Sequence, residues 1–200
     1  MGNLSISLSA RRHAKLPGQL LKRGALGALA RDHQSKLRLL GTAGALRAAL
    51  THLAPTFLVT YGDSYLPFDY AAPLRALDAH DDCDGVMSVF KNDGRWDASN
   101  VVTDGAWVLR YEKPNQGEAA DRAAFDHIDY GAIALNREVV MALPLGVPRD
   151  LAALQRDLAG ARRLRALVAR ERFYEIGSTE GLAALELRLR ERKASHEPPA

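Results

Sequence analysis

The sequence predicts an α/β domain: an open, mostly parallel sheet with helices on its faces. Two observations predict it. Short apolar runs of strand character alternate along the chain with segments whose apolar residues recur at helical spacing. The size and composition suit one such domain, because 200 residues with 47% hydrophobic and 26% charged side chains lie close to globular averages. The same values exclude a disordered chain, a collagen-like chain and a coiled-coil rod. No apolar run reaches the roughly 18 residues that a membrane-spanning helix needs, so no membrane partner is expected. A single cysteine, Cys83, excludes an internal disulfide framework.

Each element follows from local pattern. Residues 1–38 have weak periodicity, and Pro17, Gly24 and Gly27 interrupt any long helix. The texture changes at Leu39. Thr42 is placed to cap a helix carrying Leu46, Ala49, Leu50 and Leu53 at helical spacing, and Pro55 stops it. Phe57-Leu58-Val59-Thr60-Tyr61 reads as a buried strand that ends at Gly62-Asp63. A helix over 70–79 turns Leu74 and Leu77 inward. Strands are predicted over 86–90, 100–103 and 107–111, separated by the turn formers Asn92-Asp93-Gly94 and Asp104-Gly105. A further strand covers 128–135. Helices are predicted over 137–143 and 150–158, extended segments over 164–169 and 172–176, and a strongly amphipathic helix over 179–193. The chain therefore divides into an atypical basic segment 1–38, an α/β domain 39–193 and a tail 194–200.

Charge is unevenly placed. The net charge is +3, yet residues 1–40 hold eight basic side chains and one acid, Asp32. Residues 41–200 carry 19 basic and 23 acidic groups, a net charge of −4. A basic start suggests a nucleic-acid arm, which gains affinity from charge density and stacking aromatics. Here leucine, alanine and glycine dilute the charges, and no aromatic residue precedes Phe57. A nucleic-acid partner is therefore not expected. The arginines at 162, 163, 165, 170 and 172 read most simply as a solvated face.

Several residues could carry chemistry. Asp63 is delivered by an apolar strand, and ligands of open α/β sheets sit beyond the carboxyl ends of strands. A carboxylate there suits Mg²⁺, a hard cation that prefers oxygen ligands. Gly62-Asp63-Ser64 also reads as a plain turn, and the residues alone favour that reading. Glu175 ends a second strand candidate, so the two carboxylates could share one metal; alone it reads as a solvent-facing residue before a turn. Glu112-Lys113-Pro114 ends a third strand, and a lysine held there suits a phosphate as readily as it suits water. Gly131, inside a strand pattern, marks a bulge or a close approach. Gly41 and Gly44 either admit a ligand or shape a helix entry. Asp81-Asp82-Cys83-Asp84 lacks the spacing of a calcium loop. Cys83 and His80 lack a third partner for nucleophilic catalysis, and His127 reads as a hydrogen-bonded or surface residue.

In order, these pieces resemble the sugar-phosphate nucleotidyltransferases, most of all the hexose- or heptose-1-phosphate guanylyl- and uridylyltransferases. The matching runs are Leu40 to Leu46, Phe57 to Leu66, Glu112-Lys113-Pro114, Ile128 to Gly131 and Phe173 to Ser178. They cover roughly residues 39–187. The resemblance implies a Rossmann-like fold, a cytoplasmic enzyme, Mg²⁺ as cofactor, and a nucleoside triphosphate and a sugar 1-phosphate as substrates. It implies that Asp63 binds Mg²⁺, with Glu175 as second ligand, where many relatives have aspartate. Lys113 would be catalytic with Asp63 and hold the sugar phosphate, and Glu112 beside it would bind substrate. Gly131 would let the backbone approach the sugar, Gly62 would belong to the substrate-binding set, and Gly41, Thr42 and Gly44 would lie near the base. An oligomer fits the resemblance equally well.

One departure matters. The family's glycine-rich triphosphate loop with its arginine, and the Pro-Lys-Pro segment after it, have no counterpart in residues 1–38. An N-terminally truncated domain of impaired activity is therefore expected. A non-catalytic sugar-phosphate-binding or regulatory subunit is the alternative, and a basic-arm nucleic-acid binder is a weaker one.

Overall fold

The computed structural model describes residues 4–7, 40–96, 98–113 and 124–194. Nine strands and five helices are named in chain order. The strands are β1 (Leu4–Ser7), β2 (Thr56–Tyr61), β3 (Ser64–Tyr65), β4 (Gly85–Lys91), β5 (Val101–Thr103), β6 (Val108–Tyr111), β7 (His127–Asn136), β8 (Leu164–Ala169) and β9 (Tyr174–Glu175). The helices are α1 (Gly41–Ala48), α2 (Ala72–Asp78), α3 (Arg137–Met141), α4 (Leu151–Gly160) and α5 (Thr179–Ala194).

The main sheet is open, with strand order β1-β2-β7-β4-β8. β5 and β6 form a hairpin joined to β7 through the pair Val101 and His127. The α/β class and the flanking helices are as expected, but the sheet is mixed rather than mostly parallel. β4 and β8 pair in parallel, whereas β7 runs antiparallel to both β2 and β4. The cause lies between β4 and β7. A parallel return needs a crossover, usually helical; here the described chain passes through the β5–β6 hairpin and comes back antiparallel. β2, β4 and β8 still point the same way, so their carboxyl ends share one edge of the sheet.

Segment 1–38 contributes β1, a strand the sequence pattern did not reveal. It pairs antiparallel with β2, Leu4 opposite Tyr61 and Ser7 opposite Leu58.

Alternation along β2 feeds two cores. Phe57 and Val59 face α1, α3 and α4 with Leu46, Met87, Ile133, Leu135, Val140 and Leu151. Leu58 faces the other way, toward Leu77 of α2, Val86, Tyr130 and Ala134. Each such buried side chain stabilises the fold by about 1.5–3 kcal/mol. Tyr130 anchors the second core, with ring centroids 5.1 Å from Phe68 and 5.8 Å from Phe173.

Two local readings change. Thr42 does not cap its own helix: Leu40 occupies that position, without a side-chain hydrogen bond. The C-terminal helix exists, but it is not strongly amphipathic. Leu185 is buried while Leu182, Leu187 and Leu189 are exposed. Among the described residues, no helix is long and apolar enough to cross a membrane.

Candidate functional site

β2 ends at Tyr61, and Gly62 and Asp63 form the turn into β3. β3 pairs with β9, Ser64 opposite Glu175, and the Ile176 N–H donates to the Asp63 carbonyl at 2.7 Å. A side chain built on Gly177 would lie 3.7 Å from the Asp63 Cβ. The fold thus brings Asp63 and Glu175, separated by more than a hundred residues, to adjoining strand ends on the edge where β2, β4 and β8 terminate. Neither carboxylate takes a hydrogen bond or ion pair from any described residue. Most other acids of the domain are engaged: Asp84 with Arg163, Asp157 with Arg149 and Glu171 with Arg188 are examples.

Next to Tyr61 lies a polar cluster that the sequence did not announce. The Asp129 Oδ2 accepts from the Tyr61 hydroxyl at 3.3 Å and from Gln155 Nε2 at 3.4 Å. Its Oδ1 accepts from the Gly131 N–H at 2.9 Å, and the Tyr111 hydroxyl joins the same group. Burial pushes the Asp129 carboxyl above its ordinary value, although these donors pull the other way. Burial, then the Asp129 charge, raises Tyr61 and Tyr111 as well. Gln155 is buried on α4, and its Oε1 has no partner among the described residues. Asn100 ties this cluster to Glu112: its Oδ1 accepts from the Asp129 N–H at 2.8 Å, and its carbonyl accepts from the Glu112 N–H at 2.9 Å.

Gly131 sits at the centre of this arrangement. Its φ is +85°, a left-handed backbone that side chains disfavour, and a Cβ there would lie 3.0 Å from the Tyr61 ring. Close approach between strands explains the glycine. Gly131→Ala is expected to lower stability by about 1–3 kcal/mol, combining left-handed strain with displacement of Tyr61. Urea denaturation measures it, and a loss below a few tenths of a kcal/mol would show that the strand backbone at this position is not strained.

Lys113 lies at the start of α4. Its Nζ is 2.7 Å from the Asp150 Oδ2, and Asp150 is the N-cap of that helix. Burial pushes the Asp150 carboxyl up, but hydrogen bonds from Lys113, the Ala152 N–H and Thr42 outweigh it and hold the group below its ordinary range. Thr42 Oγ1 donates to Asp150 at 3.1 Å and accepts from the Leu151 N–H at 2.7 Å. It therefore caps α4 rather than α1. Thr42→Val keeps the shape and removes both bonds. It is expected to cost about 1–2 kcal/mol in a denaturant titration, as loss of a cap does.

Gly41 and Gly44 face protein. A Cβ on Gly41 would overlap the Arg149 carbonyl at 2.6 Å, and one on Gly44 would lie 3.2 Å from the Val147 carbonyl. The Arg149 carbonyl also accepts from the Ala43 and Gly44 N–H groups at 3.0 and 3.1 Å. The two glycines let α1 dock on the loop before α4. Glu112 is paired with Arg110 at 2.6 Å.

The remaining candidates are structural. His127 is buried, with Nδ1 2.6 Å from the Asp126 Oδ1. Cys83 is buried, and burial pushes its thiol up, away from the nucleophilic form. The arginine run is not a uniformly solvated face. Arg163 grips Asp84 through two nitrogens and holds that carboxyl below its ordinary range. Arg165 pairs with Asp82 and lies over Trp107.

No family model matches the chain, and no curated protein matches it. Solved structures do. HddC from Yersinia pseudotuberculosis matches with a TM-score of 0.52 and 23% identity, over 72% of this chain and 60% of that one. A Bacillus anthracis protein assigned as a glucose-1-phosphate thymidylyltransferase, solved with sucrose, gives 0.58 and 10% identity over 80% of this chain and 70% of its own. The UTP-bound UGPase of Acinetobacter baumannii gives 0.53 and 12%, over 75% and 56%. The chain has a nucleotidyltransferase-like fold. It spans 60% of the length of HddC, which has also been solved with GMP-PN.

Asp63 and Glu175 fit a Mg²⁺ ion by donor chemistry. Both are hard oxygen donors without a described protein partner, and Mg²⁺ commonly takes one or two carboxylates plus substrate phosphates. Among the described residues, no three His, Cys, Asp or Glu side chains come together to hold a metal. A cation here would therefore draw further ligands from water or substrate. Lys113, Thr42, Gly41 and Gly44 gather around the start of α4. Asn100, Asp129 and Tyr61 link Glu112 to the turn that carries Asp63.

Proposed function

We propose that this chain transfers a nucleotidyl group from a nucleoside triphosphate to a sugar 1-phosphate. A phosphate oxygen of the sugar attacks the α-phosphorus, the bond to the β-phosphate oxygen breaks, and pyrophosphate leaves as a nucleotide sugar forms. Such a reaction needs positioning and charge neutralisation more than covalent help from the protein. The observation that carries the reading is the placement of Asp63 and Glu175 on paired strand ends at the carboxyl edge of the sheet, neither carboxylate having a partner among the described residues.

Asp63 and Glu175 would hold Mg²⁺, which neutralises phosphate charge when bound. Lys113 would meet the phosphate of the sugar, with Asp150 fixing its ammonium until substrate arrives. Gly131, whose missing side chain faces the Tyr61 ring, would let the strand backbone approach the sugar. Gly62 would contribute to the substrate site from the turn that carries Asp63. Gly41, Thr42 and Gly44 would contribute a packed wall near the base, since their neighbouring N–H groups already bond the Arg149 carbonyl. Residues 1–38 lack the family's glycine-rich triphosphate loop, so a slow rate is expected from these 200 residues alone.

The test is direct. The chain is incubated with Mg²⁺, each of the four common ribonucleoside triphosphates and a panel of hexose and heptose 1-phosphates. Pyrophosphate release and nucleotide-sugar formation are followed together. Slow, Mg²⁺-dependent product from one pairing supports the proposal. Saturable calorimetric binding of a sugar 1-phosphate with no product from any pairing would favour a binding subunit instead.

A further inference from the structure

We infer that Arg172 is a phosphate-binding residue of this site, a role resting on the transferase reading for the identity of the phosphate. Beside Glu175, a pocket is lined by Phe90, Trp96, Arg172, Phe173, Glu175 and Ser178. Arg172 is its cationic side chain. The guanidinium carbon lies 3.7 Å from the Trp96 ring centroid and 4.5 Å from that of Tyr174. Its Nε donates to the Phe173 carbonyl at 3.3 Å. Among the described residues, no carboxylate lies within ion-pair distance of it.

That combination is unlike the neighbouring cations. Arg163 is matched by Asp84 at 2.8 Å, Arg188 by Glu171 at 3.0 Å and Lys113 by Asp150 at 2.7 Å. Arg172 is instead held over two aromatic faces, an arrangement that planar, weakly hydrated guanidinium favours more than ammonium does. The stack limits its rotamers before any ligand arrives, so less entropy is lost on binding. Among the described residues its terminal nitrogens have no hydrogen-bond partner, and their planar fork matches two oxygens of a phosphate. Glu175 lines the same pocket without pairing with Arg172, so an anion on Arg172 would lie beside the carboxylate proposed to hold Mg²⁺. The phosphate could belong to the sugar 1-phosphate or to the triphosphate and its pyrophosphate product; the chemistry that Arg172 reads is the same.

Trp96 provides a readout that needs no turnover. Trp107→Phe leaves it as the sole tryptophan of the full chain. This protein is titrated in EDTA with inorganic phosphate, glucose 1-phosphate and inorganic pyrophosphate, following tryptophan emission and heat. A saturable change with at least one of them is expected, weakened about 10- to 100-fold by Arg172→Gln, the loss expected for a charge-assisted pair. The tighter of glucose 1-phosphate and pyrophosphate identifies the source. No response to any anion overturns the inference, as does equal affinity in an Arg172→Gln protein with native circular dichroism. If that variant does not fold, Arg172→Lys decides: it keeps the charge and loses the fork, so a several-fold loss supports the role and unchanged affinity removes it. Phosphate binding through Arg172 without nucleotide-sugar formation would keep this inference and remove the transferase reading. Turnover with every KM indifferent to Arg172 would do the reverse.

Discussion

Asp63→Asn is expected to lower Mg²⁺-dependent nucleotide-sugar formation by about 10²- to 10³-fold, the usual loss when one electrostatic contact to a transferring group is removed. The fold should not notice. Asp63 supports its surroundings through its backbone carbonyl, which the Ile176 N–H reaches at 2.7 Å, and asparagine keeps that bond. The side chain has no described protein partner to lose. Stability should therefore stay within about 0.5 kcal/mol of wild type, as for substitutions away from buried networks. The two measurements together are decisive: steady-state rates over a Mg²⁺ series, and a denaturant midpoint on the same preparation. A rate within threefold of wild type would remove Asp63 from the reaction. A matching loss of rate and stability would show instead that the turn, not the carboxylate, is what matters. Glu175→Gln should behave in the same way. Its smaller demand on geometry follows from an extra methylene, and its neighbour Tyr174 carries the packing of β9 in a buried position.

That Asp63 and Glu175 stand at strand ends was legible because a sequence states where an apolar run stops. Phe57 to Tyr61 had to be a buried strand, and whatever followed it had to stand at a sheet edge. Strand direction was not legible. A run such as Ile128 to Leu135 reads the same whichever way it is paired, so the antiparallel insertion of β7 between β2 and β4 needed the structure. The role of Thr42 was half legible. A threonine at a helix start signals a cap, but the capped helix lay more than a hundred residues away. Arginines were the least legible. Arg163 and Arg172 stand in one basic run, yet one is neutralised by Asp84 and the other faces Trp96 and Tyr174. Charge counting cannot separate them, because the difference lies in partners from distant parts of the chain. Asp129 was missed for a related reason. Between Ile128 and Tyr130 it looks like the outward residue of an alternating strand, and only Tyr61 at the end of β2, Tyr111 at the end of β6 and Gln155 of α4 together enclose it.

That enclosure gives the largest expected stability effect. Asp129→Ala leaves the Gly131 N–H, the Tyr61 and Tyr111 hydroxyls and Gln155 Nε2 without their shared acceptor. The two tyrosines can partly satisfy each other, so the expected cost is about 2–4 kcal/mol rather than the sum of four orphaned donors. Asp129→Asn should be far milder, within about 1 kcal/mol at neutral pH. The amide oxygen can accept from Gly131, and the new N–H can donate to Gln155 once that amide turns. This would give the partnerless Gln155 Oε1 its hydrogen bond. The pH profile separates charge from shape. Burial raises the Asp129 carboxyl above its ordinary value of 3.8, so between that value and the raised one the folded protein binds a proton that the unfolded chain has released. Stability must then fall as pH rises through that window and level off above it. Asp69, Asp84 and Asp150 are held low instead, so the stability they contribute is lost as pH falls below the ordinary value. The two limbs lie on opposite sides of it. Subtracting the Asp129→Asn profile from wild type should leave only the limb that declines toward higher pH. A flat difference would mean that Asp129 titrates normally, and a difference of the opposite sign would mean that Tyr61, Tyr111 and Gln155 stabilise its ionised form.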